Sequence, residues 1–107
     1  MTKYKIDKVD EIRPDGKSYE VIDECSGPLP YPWIAEPEVI IERIFDGDEF
    51  VTIDPLTGRE QKVQVYQFNN NKEKKFIRTN EDRSRNNNLD NLPEITLSRR
   101  SIAKRLK

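Results

Sequence analysis

FIRTNEDRSRNNNLDNLPEI, residues 76–95, is the stretch around which the rest of the chain is organised. It opens as a short apolar strand, Phe76-Ile77, and turns polar through Arg78, Thr79 and Asn80. A loop rich in charge and asparagine follows, and the stretch ends on Leu89, Leu92, Pro93 and Ile95. Apolar anchors at both ends of a polar loop need somewhere to bury, so the chain must leave a core here and return to it. Leu92→Ala is accordingly expected to cost about 2–5 kcal/mol. Asn88, Asp90 and Asn91 can bond their own backbone and shape that return. The alternative use of the same loop is as a recognition surface.

Working outward toward the N-terminus, residues 75–79, 60–68 and 48–54 read as strands. Val51 and Ile53 share one face, as do Val63 and Val65, while Phe50, Tyr66 and Phe68 fall on the other phase. That pattern predicts a sheet partly covered on both sides, or a bulge near Val65. Asp54-Pro55-Leu56-Thr57-Gly58 is turn chemistry, and Asn69 to Lys74 reads as a polar hairpin loop. Residues 37–46 predict a helix. Pro37 suits its first position, Glu38 its positive end, and Gly47 its stop. Ile40, Ile41, Ile44 and Phe45 form its core face, with Glu42 and Arg43 outside.

Residues 3–12 and 18–24 predict two further strands joined by Arg13-Pro14-Asp15-Gly16-Lys17. Val9 and Ile12 are out of phase with Tyr4 and Ile6, which requires a bulge or an early strand end near Lys8. Residues 26–37, SGPLPYPWIAEP, hold four of the seven prolines and read as a connector. Trp33, the single tryptophan, either plugs the core beneath it or stands exposed as a stacking residue. Residues 96–107 carry five bases and no acid. Leu97, Ile102 and Leu106 are too sparse for a stable free helix, so this segment is expected to be mobile or loosely docked. It either folds back on acidic surface or reaches an anionic partner, and deleting residues 97–107 is expected to cost less than about 1 kcal/mol.

Phe76-Ile77-Arg78-Thr79 followed by Asn88-Leu89-Asp90-Asn91-Leu92-Pro93-Glu94 resembles a family of small bacterial and archaeal domains of unknown function. Its members end in an aromatic-Leu-Arg-Thr strand, a polar loop and an Asn-Leu-x-x-Leu-Pro segment. Trp33, the isoleucine-rich 39–45 and Gly47 to Thr52 stand in the matching order. The resemblance spans roughly residues 3–95, with Ile77 in place of the leucine. It implies the architecture and no activity.

Leu, Ile, Val and Phe together make 27 of 107 residues, enough for a small core, and the net charge is −1. The predicted class is α+β: a small, mostly antiparallel sheet of about five strands packed by one central helix, with a basic C-terminal tail. Residues 1–95 would be the domain and 96–107 the tail or a short helix. Residues 1–60 carry net −8 and residues 61–107 net +7. That asymmetry signals an anionic partner unless the halves interleave in space. With one cysteine and no histidine, an internal disulfide, a Cys-His or Ser-His-Asp nucleophile and a cysteine-rich metal site are all excluded. Asp46, Asp48 and Glu49 read as a solvated turn rather than a cation loop. No apolar run approaches membrane length, and the chain is expected to be cytoplasmic.

The expectation is a non-enzymatic protein-interaction module without a cofactor. The alternative is a nucleic-acid accessory domain using Lys72, Lys74, Lys75, Arg78, Arg83 and Arg85 together with the tail. Candidate binding residues are Trp33, Arg78, Asn80, Arg83, Arg85, Arg99, Arg100, Lys104 and Arg105.

Overall fold

The computed structural model describes residues 1–13, 15–16, 21–53, 58–68, 71–79 and 92–107, with the main chain alone at 67–68, 71–76 and 78–79. The candidate residues Asn80, Arg83 and Arg85, and the loop of residues 80–91, lie outside the described residues, as does the Arg78 side chain. Eight strands and two helices are present among the described residues: β1 Lys3–Lys5, β2 Lys8–Ile12, β3 Val21–Gly27, β4 Trp33–Ala35, α1 Pro37–Phe45, β5 Glu49–Ile53, β6 Glu60–Phe68, β7 Asn71–Thr79, α2 Leu97–Ile102 and β8 Lys104–Arg105. The class is α+β, but one five-stranded sheet is replaced by two four-stranded mixed sheets, ordered β1-β5-β6-β7 and β2-β3-β4-β8, and the single helix by two.

The phase break near Lys8 is the point where the chain changes sheet. Tyr4 pairs with Phe50 in a parallel ladder, Ile6 N donates to Val51 O at 2.8 Å, and Asp7 N then donates to Ser26 O in the other sheet at 3.0 Å. The stretch 3–12 is therefore two strands rather than one bulged strand. A bulge is also present, later, between Asp10 and Glu11. The strand expected at 18–24 is found at 21–27, and the proline connector contains the three buried residues of β4. Prolines bracket β4 closely, so too few residues remain to show a strand period. Likewise β7 begins at Asn71, inside the expected polar loop.

The two sheets meet over an aromatic cluster. Tyr4 stacks on Phe50 with centroids 4.8 Å apart, and Trp33 meets both edge-on at 5.5 Å. Helix α1 seals this core. Its first position is Pro37, and Gly47 leaves it at φ 106, where a side chain would be strained. Ile40 and Ile41 are buried and Ile44 is half-buried against the core. Phe45, expected inside, is 62% exposed, one step beyond the arc the core covers. Arg43, expected outside, is partly buried, with its guanidinium at the Tyr4 hydroxyl (3.3 Å), Asp48 (3.5 Å) and Lys107 O (3.0 Å).

The return of residues 92–95 is anchored as its leucine and isoleucine required. Leu92 packs half-buried on the core, Ile95 is buried, Val9 N donates to Pro93 O, and Ile95 N donates to Asp10 Oδ1. This segment covers the outer edge of β2. The last twelve residues do not hang loose. They form α2 and β8, and Leu106 enters the core at 3% exposure.

Candidate functional site

The most elaborated surface lies where β4, the proline-rich turn before it and residues 96–107 converge. One edge of β4 pairs antiparallel with β3 and the other pairs parallel with β8, Trp33 opposite Lys104 and Ile34 opposite Arg105. Lys104 N donates to Pro32 O and Leu106 N to Ile34 O, each at 2.9 Å. Gly27 permits the close crossing of β1 beneath, since a Cβ there would sit 1.5 Å from Lys5 O. Trp33 is fully buried, and its indole N–H donates to Leu29 O at 3.0 Å, so the exposed stacking reading of Trp33 is corrected to a core one.

Helix α2 is held by charge. Thr96 caps it by accepting from Arg99 N at 3.1 Å. The Arg99 guanidinium grips both oxygens of Asp7, at 2.8 and 3.0 Å, and reaches Ser26 Oγ at 3.2 Å. Ser26 Oγ in turn donates to Trp33 O at 2.6 Å. Arg100 bonds Asp10 and, at 2.7 Å, Glu24, which also takes Arg105 at 2.8 Å. Glu24 is 13% exposed at its side chain. Burial alone would lift its carboxyl, but the hydrogen bonds from Arg100 and Arg105 outweigh that and hold it below its ordinary value. Three guanidinium groups thus meet three carboxylates, and the partial burial strengthens each contact.

Beside β8, residues 28–32 form an apolar knuckle. Leu29 is 50% exposed and Tyr31 36%, with Pro30 exposed between them. The Leu29–Pro30 peptide is cis. Leu29 O accepts from both Lys5 N (3.1 Å) and Trp33 Nε1, which pins the turn from below. Tyr31 stands edge-on to Tyr4 at 6.4 Å, and Lys104 Nζ lies 5.4 Å from its ring centroid.

The structure therefore gathers Trp33, Arg99, Arg100, Lys104 and Arg105 at one end of the molecule. Arg99 and Arg100 are bonded to carboxylates of the same chain, so of the two destinations open to the basic segment the structure shows it folded back on acidic residues. Arg105 is half exposed yet paired, and Lys104 lies on Tyr31. Arg78 sits apart, in β7 opposite Gln64. Asp7, Asp10, Glu24 and Tyr31 were not singled out from sequence, and Leu106 was noted only as one of three sparse apolar residues. The one signal that pointed to the carboxylates was the acidic first half set against a basic last twelve residues. Of other chemistry little is at hand. The Cys25 thiol is fully buried and burial pushes it far up. Among the described residues no three His, Cys, Asp or Glu are grouped to hold a metal ion, and Asp48 takes Thr2 N and Arg43. No helix among them is long and apolar enough to cross a membrane.

A family model described as a protein of unknown function (DUF3892) matches residues 4–93. No curated protein and no solved structure matches the chain.

Proposed function

The chain belongs to that family of unknown function, and from this premise we propose that it is a non-enzymatic protein-interaction module whose contact surface is the Leu29–Tyr31 knuckle with Lys104 at its side. The observation that carries the reading is the doubly bonded Leu29 carbonyl under exposed apolar side chains. The fixed carbonyl serves the Trp33 and Lys5 donors, and the leucine, proline and tyrosine held outward with it form a surface that a partner can meet without further ordering. Tyrosine beside a cation suits such a surface, being apolar on its face and polar at its tip. The nucleic-acid alternative loses Arg99, Arg100 and Arg105 to internal carboxylates and retains Lys104, Lys107 and the basic stretch of residues 72–85.

The test compares wild-type, Leu29→Asp and Tyr31→Ala chains as immobilised baits, followed by titration of the recovered partner in purified form. The expected result is a partner whose affinity falls at least about tenfold in both variants, with unchanged melting temperatures. Partners held equally by all three baits would sink the reading. Fluorescence anisotropy with an unrelated DNA duplex at low salt gives the other arm. Salt-dependent binding there would transfer the assignment to nucleic acid.

A further inference from the structure

Residues 103–107 occupy β4 in the way a bound peptide occupies a sheet edge. Main-chain bonds from Lys104 N to Pro32 O, just before β4, and from Leu106 N to Ile34 O within it supply the ladder, Leu106 fills an apolar socket, and Glu24 reads Arg105. Those are the three components by which sheet-edge binding domains take extended segments: backbone pairing for affinity, alternate side chains for specificity. The rest of the hold on the segment is polar: Arg99 on Asp7 and Ser26, Arg100 on Asp10 and Glu24, and Arg43 on Lys107 O. None of the residues of α2 is buried, and Leu97 and Ile102 are 86% and 65% exposed. Lifting residues 96–107 therefore takes one leucine out of the core, bares the β4 edge at Trp33 and Ile34, and separates ion pairs that water can solvate.

We infer that residues 103–107 are a resident ligand, and that the β4 edge with its acidic rim is a recognition groove for an extended segment of a partner protein carrying an arginine followed by a leucine. Charge complementarity selects that occupant. Asp10 and Glu24 line the rim and, in the closed molecule, are matched by Arg100 and Arg105. An acidic or purely apolar segment would leave these carboxylates desolvated and unpaired. The tethered segment competes at high effective concentration, so a partner must bind better than residues 96–107 do, or arrive when they are lifted. The groove adjoins the Leu29–Tyr31 surface, with Lys104 common to both, and its test turns on Arg100, Arg105 and Leu106 rather than on Leu29 and Tyr31.

The probe is a fluorescein-labelled peptide of residues 96–107, TLSRRSIAKRLK, titrated into the full wild-type chain and the full Leu106→Ala chain. Weakening the tethered competitor should raise affinity for the probe by about tenfold or more in Leu106→Ala. A probe with Arg100 and Arg105 replaced by Glu should lose that binding, and added salt should weaken it. Amide hydrogen exchange on the wild-type chain provides a measurement independent of whether Leu106→Ala folds. The Lys104 and Leu106 amides should exchange well ahead of the β5 amides, and saturating probe should alter their rates. Exchange of these two amides only through global unfolding would overturn the inference, as would a probe that binds both chains equally. Concentration-dependent dimers exchanging residues 96–107 would assign the groove to a second copy and overturn the partner class.

Discussion

Helix α1 reaches the core through Ile40 and Ile41, whereas helix α2 reaches the sheet beside it through Arg99 and Arg100. Both are short, both have ordinary ends, and neither would be stable alone in water. Their attachments differ in kind. Burying isoleucine is non-directional and indifferent to salt, and it couples α1 to everything packed on the same core. Pairing guanidinium with carboxylate is directional and screened, and it offsets the desolvation of both partners. One helix is therefore part of the core's single cooperative unit. The other is a strap tied at its end by one leucine.

Several substitutions sharpen that contrast or break it. Ile40→Ala, at a fully buried site, should cost about 2–5 kcal/mol in denaturant unfolding. A cost below about 1 kcal/mol would mean that α1 is not integral to the core. Leu106→Ala comes next, at about 2–3 kcal/mol, the lower part of the range for a buried leucine. This replaces the expectation that the last residues are nearly dispensable. Unchanged unfolding in this variant would return them to a loose tail.

Arg100→Ala should cost on the order of 1 kcal/mol, since its side chain is a third exposed and leaves two carboxylates behind. That cost should shrink in about 1 M salt, where the screening length falls to a few ångströms, while the Ile40→Ala cost should not. Equal salt responses would erase the distinction between the two helices.

Acid separates them as well. The Glu24 carboxyl sits below its ordinary value of 4.5 in the folded chain. Its stabilisation is complete above that ordinary value and is lost as pH falls through the lower folded one. Protection of the Lys104 and Leu106 amides, taken relative to the intrinsic exchange rate at each pH, should fall on acidification below about pH 4.5, ahead of the β5 amides, and Glu24→Gln should abolish the pH step. A wild-type profile flat down to global acid unfolding would contradict the ionic strap. The smallest effect is expected at Lys62, whose exposed pair with Glu49 is 3.9 Å long. Lys62→Ala should move stability by less than about 0.5 kcal/mol.

Much of the architecture could be read locally. Pro37, the isoleucines at 40, 41 and 44, and Gly47 sufficed for α1, because helix period and end chemistry are properties of neighbouring residues. The turn residues around Gly16 and Gly58, both at positive φ, marked the ends of hairpins now seen as β2–β3 and β5–β6. Leu92, Pro93 and Ile95 announced a return to the core, and the phase break near Lys8 announced an interruption without saying that the chain crosses between sheets there. Where the reading went astray, the cause was a short signal. Three residues of β4 among prolines look like a connector, and Leu97, Ile102 and Leu106 look too sparse to anchor anything.

By itself the sequence determined the class, the position of α1, the hairpin turns at Gly16 and Gly58, and the exclusion of histidine chemistry and of an internal disulfide. Only the tertiary structure decided which strand joins which sheet, that Trp33 lies under the knuckle, and that Arg99 meets Asp7 while Arg100 and Arg105 meet Glu24. The physical reason is distance along the chain. Periodicity and turn chemistry act over a few residues. The arginine–carboxylate pairs, by contrast, join residues 76 to 92 positions apart, and the free energy that selects them exists only once the core has brought those positions together.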